Sequence, residues 1–309
     1  MTALVFGYFD LNFGDDWLIH EFASEYNKKE VILVVSDEKL FVPFKKNSLF
    51  KSVRYVGKMN ALWCCNEVNI VGGSMFQEGG NWFLHYSKIF CLLAISRVLG
   101  KKNHIVGCNL NAIDNKKLKF IFGLIFKQVN YFRVRDLASA KILAYEYGIS
   151  PNKIELKHDL ADKPKHLTSL RKEDSCAISI INNKSINKDK YFEWLSKNII
   201  DLQEKGVSVF KFYAFDTGSE SDETIIDEFF KIHETLFKQN IFSKHTYKGD
   251  VDLFIKEWGK SKYALCTRFH SYILARNCSQ KFKVYCYSDK IVQYIISHHP
   301  VEMEFVDAP

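Results

Sequence analysis

The chain has 309 residues and a mass of 36.0 kDa, more than one hydrophobic core usually organises, so two domains are expected. With 47% hydrophobic residues, 26% charged residues and 5 prolines, the composition excludes a disordered chain, a collagen-like fibre and a disulfide-dense small protein. The 43 Lys and Arg exceed the 36 Asp and Glu by a net charge of +7, which suits an anionic substrate or membrane surface. Because the basic residues are dispersed, a nucleic-acid partner is not predicted.

The first half of the chain alternates short β-branched runs with segments of helical periodicity. The predicted strands are 3–9, 30–35, 53–56, 67–71, 104–108 and 131–134, and the predicted helices are 15–26, 85–99, 116–127 and 136–147. A polar stretch with Pro164 and no apolar period then predicts a linker, 163–174. It separates an N-terminal domain, 1–162, from a C-terminal domain, 175–309.

The alternation restarts after this linker. Strands are predicted at 176–181, 207–213, 263–267 and 282–287, and helices near 189–204, 221–237, 251–259, 271–277 and 289–297. Alternating strands and helices indicate parallel sheets covered on both faces. The predicted fold class is therefore α/β, with two Rossmann-like domains facing a cleft, and ligands are expected at the carboxyl ends of the strands.

The two most apolar segments, 89–99 and 118–126, are about half as long as the ~20 residues that a membrane-spanning helix needs. Both are flanked by Lys or Arg. They are interpreted either as helices packed on a sheet with basic ends or as helices in shallow contact with anionic lipid. The first 16 residues lack the basic region of a signal peptide, so a cytoplasmic location is expected, extending to the inner face of the membrane.

Cysteine and histidine spacing does not predict a metal site. Cys64 and Cys65 are adjacent, and the six other cysteines, Cys91 among them, lie in apolar runs and are interpreted as reduced core residues. The histidines other than His270 have neither metal-ligand spacing nor a nearby set of acidic residues. No metal and no cofactor are therefore expected.

Two glycine-containing turns follow predicted strands. Gly14, Asp15 and Asp16 open a helix whose free N–H groups could face an anion or a hydroxyl-rich ligand, although a plain turn with Asp15 as N-cap fits the pattern equally well. A second glycine cluster follows the predicted strand 67–71. It is interpreted either as a place where the chain bends sharply or lets a ligand approach its backbone, or as a flexible surface turn. Its candidate ligand-binding residues are Gly72, Gly73, Ser74, Gln77, Glu78 and Asn81.

Two arginines stand where strands end and helices begin. Arg135 follows the strand 131–134, and its planar guanidinium suits a carboxylate or phosphate, although a structural ion pair is the alternative and Arg133 is easily confused with it. Arg268 and His270 bracket one aromatic residue after the strand 263–267. A histidine at a helix N-terminus favours its neutral form, which suits a general base, although a lone histidine is often a core residue.

These blocks, in this order, resemble the polysaccharide pyruvyl transferase family. The resemblance is carried by GYFDLNFGDDWL at 7–18, VGGSMFQEGG at 71–80, VGCNLNAI at 106–113, VRDLAS at 134–139, the turn at 159–161 and TRFHSYILA at 267–275. The sequence departs from the family pattern at Val71, where a third glycine is common, and at Asn109, where a G-x-G often ends. Both departures concern the acceptor more than the reaction.

The resemblance implies a fold like that of GT-B glycosyltransferases and transfer of pyruvate from phosphoenolpyruvate to a sugar diol as a ketal, in surface polysaccharide biosynthesis. Arg135 and Arg268 would bind the donor, and His270 would act as general acid and base. The acceptor is left open among a nucleotide sugar, a lipid-linked oligosaccharide and a polymer. Two alternatives remain at this point, a nucleotide-sugar-dependent glycosyltransferase and a non-catalytic carbohydrate-binding component of a polysaccharide assembly complex.

Overall fold

A computed structural model describes residues 2–26, 30–54, 58–79, 81–163, 171–183, 186–219, 221–237 and 241–307. Contacts between residues divide the chain into two compact units. Unit 1 contains residues 1–9 and 18–160, and unit 2 contains residues 10–17 and 161–309.

Unit 1 is built on a parallel sheet of seven strands. The strands are β1 Thr2–Phe6, β2 Glu30–Val35, β3 Phe50–Arg54, β4 Glu67–Val71, β5 Lys102–Cys108, β6 Tyr131–Val134 and β7 Ile154–Leu156. Their order is β3-β2-β1-β4-β5-β6-β7, with Leu4 opposite both Ile32 and Val68. The order changes direction between β1 and β4, which is the switch point of a Rossmann-type sheet.

The helices of unit 1 connect successive strands. They are α1 Phe13–Glu25, which begins in the segment assigned to unit 2, α2 Lys58–Cys64, α3 Trp82–Val98, α4 Lys116–Lys127 and α5 Leu137–Lys141. A turn of π-helix, Ile142–Glu146, and short 3₁₀ helices, Glu38–Phe44 and Pro151–Lys153, complete the connections. All five residues of β4 are buried, as is typical of a strand covered on both faces. One core cluster contains Leu62 of α2, Leu92 of α3 and Phe122 of α4.

Unit 2 is built on a parallel sheet of six strands. The strands are β8 Glu173–Ser179, β9 Val209–Ala214, β10 Ile241–Thr246, β11 Ser261–Cys266, β12 Lys281–Tyr285 and β13 Val306–Asp307. Their order, β10-β9-β8-β11-β12-β13, is the Rossmann order, and its switch point lies between β8 and β11. The helices are α6 Lys188–Glu204, α7 Glu223–Ile232, α8 Val251–Gly259, α9 Phe269–Asn277 and α10 Asp289–His298, with 3₁₀ helices at Glu234–Phe237 and Pro300–Phe305.

The predicted α/β class with two Rossmann-like domains is confirmed. The boundary between Leu160 and Ala161 lies two residues from the predicted end of the N-terminal domain. The segment 10–17 differs from the prediction, because it packs with unit 2 through contacts with residues distant in the sequence. Of the predicted linker, residues 164–170 lie outside the described residues, and Glu173 already belongs to β8.

Helices α3 and α4 pack on the sheet of unit 1 with one face and expose the other. Within the described residues, no helix is both long enough and apolar enough to cross a membrane. The interpretation of Cys91 as a core residue is wrong, because this thiol lies on the exposed face of α3.

Candidate active site

The strand ends at the switch point of unit 2 are joined by buried hydroxyl groups. The Ser179 hydroxyl, at the end of β8, accepts a hydrogen bond from the backbone N–H of Thr267 at 2.8 Å and donates to Ser271 at 2.7 Å. The Thr267 hydroxyl donates to the Ser179 carbonyl at 2.9 Å. These bonds fix the turn from β11 into α9, which carries Arg268 as N-cap and His270 in the first helical turn.

Arg268 binds the carboxylate of Asp222 in a bidentate arrangement. Its Nε lies 2.7 Å from Oδ2 and its Nη2 lies 2.5 Å from Oδ1. The same carboxylate also accepts bonds from the backbone N–H groups of Asn182, Phe215 and Asp216, each at 3.1 Å. Burial opposes the charge of Arg268, but Asp222 outweighs this effect and raises the pKa of the guanidinium above its ordinary value. The side chain of Arg268 is 15% exposed, so an oriented cation remains partly accessible.

The segment 10–17 reaches the same region of unit 2 from the other end of the sequence. Asn12 forms an antiparallel bridge with Asp216 and donates to its Oδ2 at 2.8 Å, and the Phe13 N–H donates to the Phe215 carbonyl at 2.8 Å. Asn12 Oδ1 accepts from the Gly14 N–H at 3.0 Å. The interpretation of Asp15 as N-cap is therefore wrong, because α1 begins at Phe13 and the preceding Asn12 binds its free N–H.

Gly14 and His270 fit against each other. A Cβ atom at position 14 would lie 2.0 Å from Nδ1 of the His270 ring and 2.7 Å from its Cγ. Both distances are shorter than the non-bonded contacts that Cβ atoms make in proteins, so only glycine leaves room for the imidazole at the start of α1. His270 is 9% exposed and its ring also contacts Phe269. The two blocks at the opposite ends of the resemblance therefore build one site in unit 2.

Two buried carboxyl groups near this site hold their protons more tightly than usual. Burial raises the pKa of Asp16 well above 3.8, and Asp15 and Asp216 raise it further, while a 2.9 Å hydrogen bond donated by Tyr247 opposes the shift. Burial also raises the pKa of Asp216, and Arg268 offsets this shift only in part. Such displaced values are common where a site handles protons.

The candidate residues of unit 1 meet at the carboxyl ends of β4, β5 and β6. Gly72 follows β4 with a φ of 153°, and the next glycine, Gly73, leaves space for Arg135. A Cβ atom at position 73 would lie 2.9 Å from Nη2 of that arginine. The guanidinium therefore packs flat against the backbone of the turn.

Arg135 is enclosed by polar partners. Its Nη1 donates to Oδ2 of Asp159 at 2.8 Å, and its Nη2 donates to Oδ1 of Asn109 at 2.6 Å. The arginine is 1% exposed, and the Asp159 side chain is fully buried. Arg133 has a separate set of partners, Glu25 at 2.5 Å and the His158 carbonyl at 3.0 Å. The ion pair considered for Arg135 is thus present, and its role in donor binding stays a prediction.

The other predicted residues of the glycine cluster lie nearer the surface. Ser74 donates to Asn109 at 3.3 Å, and Gln77 donates to the Ser74 carbonyl at 2.8 Å. Glu78 accepts a bond from Asn115 at 2.8 Å, and Asn81 is the exposed N-cap of α3. Their binding of a sugar stays a prediction.

The structure sorts the predicted residues into two groups. Arg135 and the glycine cluster belong to unit 1, whereas Gly14, Asp15, Asp16, Arg268 and His270 belong to unit 2. Four polar partners received no role from the sequence: Asn109, Asp159, Asp216 and Asp222. The first two lie in blocks that carry the family resemblance, so those blocks contained a signal. The last two lie outside every such block.

Known proteins resemble this chain at the level of family and fold. The family model described as polysaccharide pyruvyl transferase matches residues 12–278. No curated protein sequence matches the chain.

Several solved structures are similar in fold. A UDP-GlcNAc 2-epimerase from Methanocaldococcus jannaschii has 11% identity and a TM-score of 0.60, covering 100% of this chain and 88% of its own. A glycosyltransferase from Rickettsia africae has 11% identity and a TM-score of 0.56, covering 92% and 78%. Anabaena Alr3699/HepE, in complex with UDP-glucose, has 8% identity and a TM-score of 0.57, covering 92% and 80%. At these identities the likeness shows the fold alone, which is that of GT-B glycosyltransferases and related epimerases.

Proposed function

The chain belongs to the polysaccharide pyruvyl transferase family, and we propose that it transfers pyruvate from phosphoenolpyruvate to two hydroxyl groups of a sugar, forming a ketal of a surface polysaccharide. The observation that carries this proposal is the fit of Gly14 against His270 beside the oriented Arg268. An imidazole next to an arginine at a sheet's switch point combines proton transfer with binding of an anion.

The charge of Arg268 suits the donor. Phosphoenolpyruvate carries a carboxylate and a phosphate, which an arginine fork binds better than a lysine does. Asp222 occupies the edge formed by Nε and Nη2, and three backbone N–H groups share the negative charge of that carboxylate. The ion pair with Asp222 fixes the direction of the remaining N–H groups of the guanidinium, and we assign these groups to binding phosphoenolpyruvate.

His270 supplies and receives the protons of the proposed reaction. Carbon 3 of phosphoenolpyruvate gains a proton and becomes a methyl group, while carbon 2 gains oxocarbenium character. One sugar hydroxyl attacks carbon 2 and loses its proton, the bond from carbon 2 to the phosphate oxygen breaks, and a second hydroxyl closes the ketal. Of the two hydroxyl protons, one balances the new methyl hydrogen and the other leaves with inorganic phosphate. A residue that alternates between acid and base serves both transfers.

In this proposal Arg135 supports donor binding. Three exposed side chains of the glycine cluster bind the acceptor: Gln77, Glu78 and Asn81. Amide and carboxylate groups in an exposed turn are suited to sugar hydroxyls. A nucleotide sugar and a lipid-linked oligosaccharide are both consistent with this polar surface.

One observation favours a second candidate function. A protein of similar fold is in complex with UDP-glucose, so a nucleotide-sugar glycosyltransferase is the alternative. This alternative predicts turnover of a nucleotide sugar without phosphoenolpyruvate.

The deciding experiment incubates the protein with phosphoenolpyruvate and a panel of nucleotide-linked and lipid-linked sugars. Inorganic phosphate is measured, and each acceptor is examined by mass spectrometry for an added pyruvyl ketal. We expect phosphate and ketal to appear together and only with an acceptor that has a suitably placed diol. Glycosyl transfer from a nucleotide sugar in the absence of phosphoenolpyruvate would instead support the alternative. His270→Asn serves as the matched control for contaminating activity.

A further inference from the structure

Three consecutive helices of unit 1, α2, α3 and α4, present apolar side chains to solvent. Their inner residues belong to one core cluster, so the opposite sides of these helices form one outer helical face. On α3 the exposed positions are 83, 84, 85, 88, 91, 95, 97 and 98, and most of them are three or four residues apart, as on one face of a helix. The largest exposed apolar side chains of this face are Trp63, Phe83, Leu84, Val98 and Phe120, and Val98 is 87% exposed.

Two grooves run between these helices. The larger, of about 510 Å³, lies between α3 and α4 and is lined by Phe83, Phe90 and Phe120 together with Lys116 and Lys117. A smaller groove of about 250 Å³ lies between α2 and α3, where Met59 and Ile95 contribute to the lining. Exposed apolar patches rimmed by polar residues mark surfaces that bind a partner.

The charge of the outer helical face has one sign. Helices α3 and α4 contain no Asp or Glu, and they contain six basic residues: Lys88, Arg97, Lys116, Lys117, Lys119 and Lys127. Lys119 pairs with Glu146 at 2.5 Å, whereas Lys88, Lys116, Lys117 and Lys127 are exposed. Aromatic side chains and lysines on one surface complement a layer that is anionic outside and apolar beneath.

We infer that the outer helical face binds the surface of an anionic phospholipid membrane. The helices lie in the plane of such a surface, with Trp63, Phe83 and Phe120 entering the headgroup region and the lysines contacting phosphate. A second copy of the chain is a poor occupant, because a symmetric contact would place lysines against lysines. The inference is independent of the proposed function, since it concerns lipid binding rather than catalysis.

The experiment measures co-sedimentation of the full chain with two kinds of vesicles, phosphatidylcholine alone and equimolar phosphatidylcholine and phosphatidylglycerol. We expect binding to the anionic vesicles that weakens as salt is raised from about 0.1 M to about 1 M, because salt screens exposed charges. Lys116→Gln/Lys117→Gln should weaken binding roughly 25-fold, at roughly fivefold per lysine near an anionic surface. Phe83→Ser/Phe120→Ser should weaken binding at both salt concentrations.

Matched controls lie in unit 2. Lys205→Gln/Lys281→Gln changes two exposed lysines and Ile232→Ser/Val301→Ser changes two exposed apolar residues, and both variants should bind as the wild type does. Because all substituted side chains are exposed, each variant should keep the wild-type melting temperature, which is checked first. Equal binding to both vesicle types, no binding by the wild type, or equal losses in the controls would overturn the inference. A wild-type dimer that Phe83→Ser/Phe120→Ser dissociates would also overturn it and assign the face to a second copy.

Discussion

Arg135 of unit 1 and Arg268 of unit 2 both follow the carboxyl end of a parallel strand, Arg135 directly after β6 and Arg268 two residues after β11, yet their surroundings differ. Arg135 is 1% exposed and is held by Asp159, Asn109 and the backbone at Gly73. The side chain of Arg268 is 15% exposed, and its partner Asp222 is further bound by three backbone N–H groups. Arg135 is therefore enclosed by the fold, whereas Arg268 is held in one orientation and stays partly exposed.

The difference shows that position at a strand end is insufficient to define a ligand-binding arginine. An enclosed ion pair is costly to disrupt, because its loss leaves a buried charge. An oriented pair with residual exposure keeps a cation available at low cost of reorganisation. We therefore expect Arg135 to affect mainly stability and Arg268 mainly donor affinity, while His270 affects turnover.

The largest effect is expected from His270. If its imidazole transfers protons, His270→Ala should lower turnover by about 10²- to 10⁴-fold while phosphoenolpyruvate still binds through Arg268. His270→Asn keeps a hydrogen-bonding group but does not titrate, so it should be nearly as inactive. Steady-state kinetics and calorimetric donor binding provide the two readouts. Full activity of a stable His270→Asn protein would eliminate the proton-transfer role.

The second effect tests the enclosed arginine. Arg135→Ala should lower the free energy of unfolding by about 3–5 kcal/mol, because the buried Asp159 carboxylate loses this ion pair. Urea denaturation measures the loss. Arg135→Met/Asp159→Leu removes both charges and should recover most of the stability. Normal donor affinity in this double variant would remove Arg135 from the donor site, and weakened affinity would keep it there.

Gly14→Ala tests the fit to His270. The new Cβ would overlap the imidazole, and displacing a catalytic group by about 1 Å costs on the order of 10²-fold in rate. Gly79→Ala is the matched control, because a Cβ at that position meets no atom within 4 Å. In a His270→Ala background, Gly14→Ala should lower turnover no further. An additional loss there would show that Gly14 acts by another route.

Arg268→Ala should weaken phosphoenolpyruvate binding by roughly ten- to hundredfold, since a charge-assisted hydrogen bond is worth about 1.5–3 kcal/mol. Arg268→Lys should recover little, because a point charge does not reproduce the planar fork. Isothermal titration with phosphoenolpyruvate measures both variants. Unchanged affinity in the folded Ala variant would reverse the comparison between the two arginines.

The smallest effect concerns Asp16. Burial raises the pKa of this carboxyl in the folded protein. Its contribution to stability is therefore fully present below about pH 3.8, its ordinary pKa, and is lost as the pH rises through its pKa in the folded protein. Asp16→Asn should therefore gain stability relative to the wild type as the pH increases. Urea denaturation at several pH values measures this gain. Glu304→Gln, at an exposed carboxylate, is the control, and the same trend in both variants would contradict the assignment to Asp16.

The periodic parts of the fold could be predicted from sequence, and the irregular parts could not. Buried apolar runs such as β4 and β8 were identified because few other structures suit them. Helix α2 has only seven residues, too few to establish a helical period, and the partly exposed edge strand β10 lacks an apolar run. The prediction for 53–56 found only the end of β3, whose first residue is Phe50, and residues 55 and 56 lie outside the described residues.

Arg268 and His270 could be singled out from their local position at the start of a helix that follows a strand, and their roles stay predictions. The partners of the two arginines were missed because they are distant in the sequence. Asp222 precedes Arg268 by 46 residues, and Asp159 follows Arg135 by 24 residues, so no spacing rule connects either pair. The exposure that separates the two arginines depends on these partners and emerges only in three dimensions.

The placement of residues 10–17 in unit 2 has a consequence for synthesis on the ribosome. Asn12 leaves the ribosome 204 residues before its partner Asp216, so this contact forms only after the whole sheet of unit 1 has been synthesised. Until then the aromatic ring of Phe13 lacks two of the partners that it contacts in the folded protein, Phe215 and Phe254. Contacts of such long sequence separation slow folding and leave apolar surface exposed to aggregation. A fragment that begins at Ala161 would keep the sheet of unit 2 but lack Phe13, so Phe215 and Phe254 would lose this aromatic contact. We therefore expect this fragment to be found mainly in inclusion bodies.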